Sequence, residues 1–112
     1  MLGKELKVTH LEEGEGDPIP DSDAIVWLHY TGKLLSGHEF DSSLEQGTPL
    51  ELRVGQGDVV RGLELGVVGL KKGGKAIIYC PPQLAYGSKE TSDIPADSAL
   101  VFEVEIIDWE KF

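Results

Sequence analysis

The chain has 112 residues, with 20 Asp and Glu against 10 Lys and Arg, a single cysteine and a formal net charge of −10. One domain of this length buries roughly two-thirds of its unfolded surface, and the 40% of hydrophobic residues mark a globular chain rather than a disordered acidic tail. The charge balance excludes nucleic acid and anionic membranes as partners, and the solitary Cys80 excludes an intrachain disulfide, a four-cysteine zinc site and a CxxC redox motif.

The first residues, MLGKELKVTHLEEGEG, contain no apolar core of secretory length, and no apolar run approaches the roughly 20 residues needed to cross a bilayer. The absence of asparagine removes any N-glycosylation site. A soluble, cytoplasmic, monomeric domain is expected. Leu6 and Val8 alternate with Lys7 and Thr9 as in a half-buried strand, and Gly14, Gly16, Pro18 and Pro20 form an acidic turn-rich loop. The run from Ala24 to Thr31 is β-branched and aromatic. It places Ile25, Trp27 and His29 on one face and Val26, Leu28 and Tyr30 on the other, so this strand is expected to be central.

A turn at Ser36-Gly37 and a loop at Gly47-Thr48-Pro49 lead to a second alternating run, Leu50, Leu52 and Val54. Val59, Leu63, Gly66/Val67 and Leu70 then recur at three- to four-residue steps and predict the one good helix. Its glycines each cost about 1 kcal/mol relative to Ala, so the helix must lean on tertiary packing. Residues 71–74 form a turn, Ala76 to Cys80 a strand, and residues 83–98 a long loop after Pro81-Pro82. In the last strand Leu100, Phe102, Val104 and Ile106 share one face, against Val101, Glu103, Glu105 and Ile107. Strands on both sides of one short helix predict an α+β fold with an antiparallel sheet. The whole chain, 1–112, is expected to be one domain: an N-terminal strand and acidic loop over 1–22, and a core over 23–108.

Reactive motifs are scarce. Gly69 to Ala76 matches GxxxxGK, but Ala76 stands where Ser or Thr should hold magnesium, and the motif follows a helix and opens a strand, the reverse of a phosphate loop. Gly55-Gln56-Gly57 lacks the third glycine of a dinucleotide fingerprint. His10, His29 and His38 lie in different elements with no metal-ligand spacing, so neither a metal nor a cofactor is expected. Ser42 and Ser43 lack a nucleophile elbow, and Cys80 lies in an apolar strand that should bury it and raise its pKa. Glu39 and Asp41 could serve as an acid/base pair, although two carboxylates in an exposed turn are more often merely solvated. What remains is apolar: Tyr30, Phe40, Leu50, Val59, Val60, Leu63, Tyr86 and Phe102 at strand ends, a helix start and loops. Periodicity alone does not separate a pocket from a core here.

Five stretches, residues 28–43 (LHYTGKLLSGHEFDSS), 59–67 (VVRGLELGV), 70–76 (LKKGGKA), 81–87 (PPQLAYG) and 94–108 (IPADSALVFEVEIID), together resemble the FKBP-type peptidyl-prolyl isomerases in order and spacing. The resemblance implies a twisted antiparallel half-barrel wrapped around one short helix, and a shallow apolar pocket for a prolyl ring. It implies Tyr30, Phe40 and Phe102 as walls, Val59 and Val60 as one side, Leu63 as the floor and Ile94 flanking the entrance. Leu50 would join the lining, the Val60 N–H would donate to the bound chain, and Tyr30, Asp41 and Tyr86 would act at the rotating amide. The partners implied are proline-containing peptides and proteins, and macrolides of the tacrolimus and rapamycin kind.

Three positions depart from the family's habit. Leu63 stands where Trp is usual, Leu50 where Phe is common and Gln46 where a basic residue is frequent, so macrolide affinity is expected to be reduced. The polar loop Ser88 to Asp93 weakens that loop's expected share in the pocket. Two functions follow: an active prolyl isomerase assisting folding, or an interaction or co-chaperone module with little turnover. The acidity lies at the ends, with seven acids and two bases in 1–24, six and one in 91–112, and seven of each in 25–90.

Overall fold

A computed structural model describes residues 5–57, 59–91 and 93–112. The strands are β1 (Lys7–Glu12), β2 (Ala24–Leu34), β3 (Glu39–Ser42), β4 (Leu50–Arg53), β5 (Lys75–Cys80) and β6 (Leu100–Lys111). One helical turn, α1 (Ser43–Gln46), lies between β3 and β4, and the helix α2 (Arg61–Val67) precedes β5. All pairings are antiparallel, in the order β1-β5-β6-β2-β3, with β4 also paired to β2. The expected twisted antiparallel sheet around one short helix is what the chain forms.

β2 is central, as its two apolar faces predict. β6 runs along one edge over the full strand, while the other edge is divided between β4, opposite Ile25 to Leu28, and β3, opposite Thr31 to Lys33. Two sequence boundaries need correction. β2 continues through Gly32 to Leu34, because the turn follows at Leu35-Ser36. β6 continues through Lys111, opposite Ala24, so the regular fold extends beyond residue 108.

The inner face of the sheet carries Val26 and Leu28, Leu52, Ala76, Ile78 and Cys80, and Leu100, Phe102, Val104 and Ile106, all buried. Leu63 and Val67 of α2 close over them with Leu70, and Ile19 joins from the acidic loop. That loop is therefore not a detachable flank. Ile19 is held at both ends of its peptide, its N–H donating to the Leu70 carbonyl at 2.8 Å and its carbonyl accepting from Gly69 N–H at 2.8 Å.

The helix is shorter than its apolar stripe. Val59 and Val60 lie before it, and Val60 has extended backbone (φ −57°, ψ 144°). After it, Gly69 at φ +89° reverses the chain into the turn that leads to β5. The turn α1 has no counterpart in the sequence reading, since four residues are too few for a periodic stripe. The glycines of α2 have a steric reason. A Cβ on Gly62 would lie 2.0 Å from Cys80 Sγ, and one on Gly66 would lie 2.6 Å from Ile78 Cδ1. Helix and β5 thus approach more closely than any side chain at these two positions permits. Burial also pushes the Cys80 thiol up to about 11, as its apolar strand predicts.

Gly62→Ala is expected to destabilise the domain by about 2 kcal/mol through overpacking, read as a lower urea midpoint at unchanged slope. On a Cys80→Ala background the same substitution should lose at least half of that effect. Equal losses on both backgrounds would show that Cys80 is not what Gly62 accommodates.

Candidate functional site

Residues of β2, β3, β4, β6 and α2, with the chain entering α2 and the loop after β5, line a recess of about 280 Å³. Its lining is Tyr30, Phe40, Asp41, Leu50, Val59, Val60, Leu63, Tyr86 and Phe102. Nine of the ten residues singled out in the sequence therefore meet in one place. The tenth, Ile94, does not line the recess. It is 5% exposed and packs into the core. Its peptide is tied back to Thr91, whose N–H donates to the Ile94 carbonyl at 2.9 Å and whose Oγ1 accepts from Ile94 N–H at 3.0 Å.

The walls are an aromatic cluster. Phe40 stands edge-on to Phe102, with ring centroids 5.9 Å apart and planes at 82°, and Tyr30 lies tilted against Phe102 at 6.3 Å and 59°. Edge-to-face arrangements of this kind are electrostatically favoured and hold the rings rigidly. Gly32, within β2, makes the cluster possible. A Cβ there would fall 2.6 Å from Phe40 Cζ and 3.1 Å from Phe102 Cε1. Its place within a strand, where glycine normally marks close approach, is the signal that could have exposed it.

Asp41 is the one ionisable side chain in the lining besides the two tyrosines. Its Oδ2 accepts a short hydrogen bond from the Tyr30 hydroxyl. Its Oδ1 accepts from the Ser42 N–H and from Gln46 Nε2, both at 2.9 Å. The turn α1 brings Gln46 back to β3 and so completes this set. Asp41 is thus partly buried and held from three sides, unlike a solvated turn carboxylate. The Tyr30 phenol is raised above its ordinary value, first because burial disfavours the phenolate and next because the proton is shared with Asp41.

Leu63, 2% exposed, closes the bottom. Tyr86 stands at the mouth, 40% exposed, on a loop fixed by Gly87 N–H to the Pro82 carbonyl at 2.8 Å. The Val60 N–H meets no backbone acceptor among the described residues, while its carbonyl receives the Leu63 and Glu64 N–H groups. Glu64 is a further residue that sequence reasoning missed. Only 4% exposed, it accepts from Gly57 N–H at 3.1 Å and lies 3.8 Å from Arg61, tying the turn before Val59 and Val60 to the helix. Nothing in the pattern distinguishes this glutamate from a surface one.

Other candidates disperse. His29 points to the outer face, where its Nδ1 lies 2.9 Å from Ser43 Oγ. Among the described residues no three His, Cys, Asp or Glu side chains cluster to hold a metal, and no helix is long and apolar enough to cross a membrane. Residues 69–74 form the turn between α2 and β5.

Residues 16–107 match the profile of the FKBP-type peptidyl-prolyl cis-trans isomerases. FK506-binding protein 1 of Saccharomyces cerevisiae is 37% identical over 103 residues, spanning 91% of this chain and 90% of that protein. FK506-binding protein 59 of Drosophila melanogaster is 42% identical over 100 residues, 88% of this chain but 23% of that protein. The crystal structure of FkpA from Escherichia coli superposes with a TM-score of 0.85 at 39% identity, covering 95% of this chain and 48% of that one. The chain thus spans less than half the length of several relatives that it matches. The glycine-packed helix and the aromatic recess fall within the matched residues, and the chain belongs to the FKBP-type peptidyl-prolyl cis-trans isomerase family.

Proposed function

We propose that this domain catalyses rotation about X-Pro peptide bonds, with the aromatic recess as the site for the prolyl ring. The observation that carries this reading is the convergence of Tyr30, Phe40, Asp41 and Phe102 with Val59, Val60, Leu63 and Tyr86 around one cavity. The proposed substrates are proline-containing segments of folding proteins, acted on by a monomeric domain in the cytoplasm. Macrolides of the tacrolimus and rapamycin kind are proposed as weak ligands.

The reaction asks for no nucleophile. Amide resonance sets a barrier of about 18–20 kcal/mol, and uncatalysed X-Pro isomerisation takes tens to hundreds of seconds. Bringing it to milliseconds is roughly a 10⁴-fold gain, or about 5–6 kcal/mol. In the twisted transition state the amide has lost resonance and its carbonyl is less dipolar. Apolar walls therefore disfavour the planar, charge-separated ground state relative to the twisted one. The rigid rings fix the prolyl ring while the preceding carbonyl swings. The Tyr86 hydroxyl at the mouth donates to that carbonyl, and the Val60 N–H donates to the bound chain. The Asp41 carboxylate, held by Tyr30, places a fixed negative end beside the rotating amide.

The reading as a pure interaction module gains nothing from this geometry, because the polar groups that turnover calls for are retained and oriented. Asp41→Ala and Tyr86→Phe should each lower kcat/KM on a proline peptide about 3- to 30-fold, equivalent to about 0.7–2 kcal/mol of barrier, with unchanged circular dichroism. Unaltered rates in both variants would remove these roles. The raised Tyr30 phenol has a pH signature. The folded state keeps a proton that the unfolded chain loses, so this group's stabilisation is intact below about pH 10 and declines as pH rises beyond it. A phenolate absorbance titration should show one late tyrosine that disappears in Tyr30→Phe. Leu63→Trp should tighten macrolide binding about tenfold by calorimetry, since it restores a flat aromatic floor. Equal or weaker affinity would refute Leu63 as the floor.

A further inference from the structure

We infer, building on the isomerase reading, that the recess prefers proline segments carrying Lys or Arg beside the proline, and that Gln46 sets this preference by leaving the charge of Asp41 uncompensated. The three groups that donate to Asp41 are the Tyr30 hydroxyl, the Ser42 N–H and the Gln46 amide, all of them neutral. Neutral donors orient a carboxylate without cancelling its charge. None of the ion pairs among the described residues includes Asp41.

Three cations on neighbouring elements are directed elsewhere, and Lys89, on the loop after Tyr86, is exposed to solvent. Lys33 of β2 lies 2.9 Å from Glu103 on the outer face, Arg61 of α2 lies 3.8 Å from the buried Glu64, and Arg53 of β4 lies 4.0 Å from Glu51. One negative charge therefore sits in a lining that is otherwise apolar or neutral. Low-dielectric walls focus such a field toward the opening, where it attracts a cation and repels an anion. A basic side chain brought by the substrate supplies the charge partner that residue 46 does not.

Isomerisation of peptides differing only in the residue before or after the proline, followed by NMR exchange, tests this. At low salt the better-placed Lys should exceed Glu in kcat/KM by about three- to tenfold, and the ratio should shrink as salt rises. Gln46→Arg should bring the ratio to about one, because the guanidinium then neutralises Asp41. Gln46→Ala should preserve it, since the charge remains, and so should Glu110→Gln, which changes net charge away from the recess. Equal turnover of Lys and Glu peptides at both positions overturns the inference. So does a ratio that survives Gln46→Arg, or one that Glu110→Gln abolishes equally. If neutral peptides such as Leu-Pro are not turned over, it is the isomerase reading that fails. The Lys-to-Glu ratio is then read from peptide affinity by calorimetry, with the same variants deciding.

Discussion

The arrangement rests on the contact between α2 and β5, where two missing side chains let a helix of seven residues lie directly on the sheet. Gly62 faces Cys80 and Gly66 faces Ile78. Such a helix has no stability of its own, since isolated helices of fewer than about 12–15 residues are marginal even in favourable sequences. Glycine worsens its propensity further. Tertiary contact must supply the difference, and the close approach provides it by burying Leu63 and Val67 completely or nearly so. The same approach fixes the rotation of the helix about its axis. Leu63 then points to the bottom of the recess, and the chain entering the helix carries Val59 and Val60 along its side.

From the helix the constraint passes to the sheet. β6 supplies Phe102, β2 supplies Tyr30 and the gap at Gly32, and β3 swings Phe40 into that gap. Because β2 divides one edge between β3 and β4, the chain must turn sharply between those strands, and it does so through α1. That turn carries Gln46 to Asp41. The polar contacts of the recess are thus consequences of how a central strand finds partners. The apolar ones are consequences of how closely a helix can approach it.

Much of this was legible in the residues. The alternation in β2 and β6 gave both faces correctly, because one face of each strand is buried and a one-residue slip would turn every apolar side chain to solvent. The recess was legible as a set of large side chains at element ends, but only the family resemblance separated it from an ordinary core. Periodicity carries no information about whether a buried aromatic has an empty neighbour. The spacing of Val59 fits the helical stripe, yet the chain at Val60 is extended and the helix starts at Arg61. The resemblance implies Ile94 at the entrance, and two hydrogen bonds with Thr91 hold it inward against the core. Gly32 and Glu64 act through what they touch in space, which neither propensity nor pattern records.

The proposed leucine floor separates two properties that a tryptophan floor would join. On the proposed mechanism, rotation about a prolyl bond depends on taking the amide out of water and on a few polar groups, and Tyr86, Asp41 and Tyr30 line the recess together with Leu63. A rigid macrolide is already ordered, so its affinity draws on the apolar area it covers and on the fit of that area. Replacing an indole by an isobutyl group removes flat contact surface from the second process while leaving the polar groups of the first in place. A folding catalyst acting on flexible, varied segments gains little from tight ground-state binding, because interactions shared equally by ground and transition states do not lower the barrier of the bound complex. A smaller floor is on this argument compatible with turnover, and the loss falls on ligands that fill the recess without twisting.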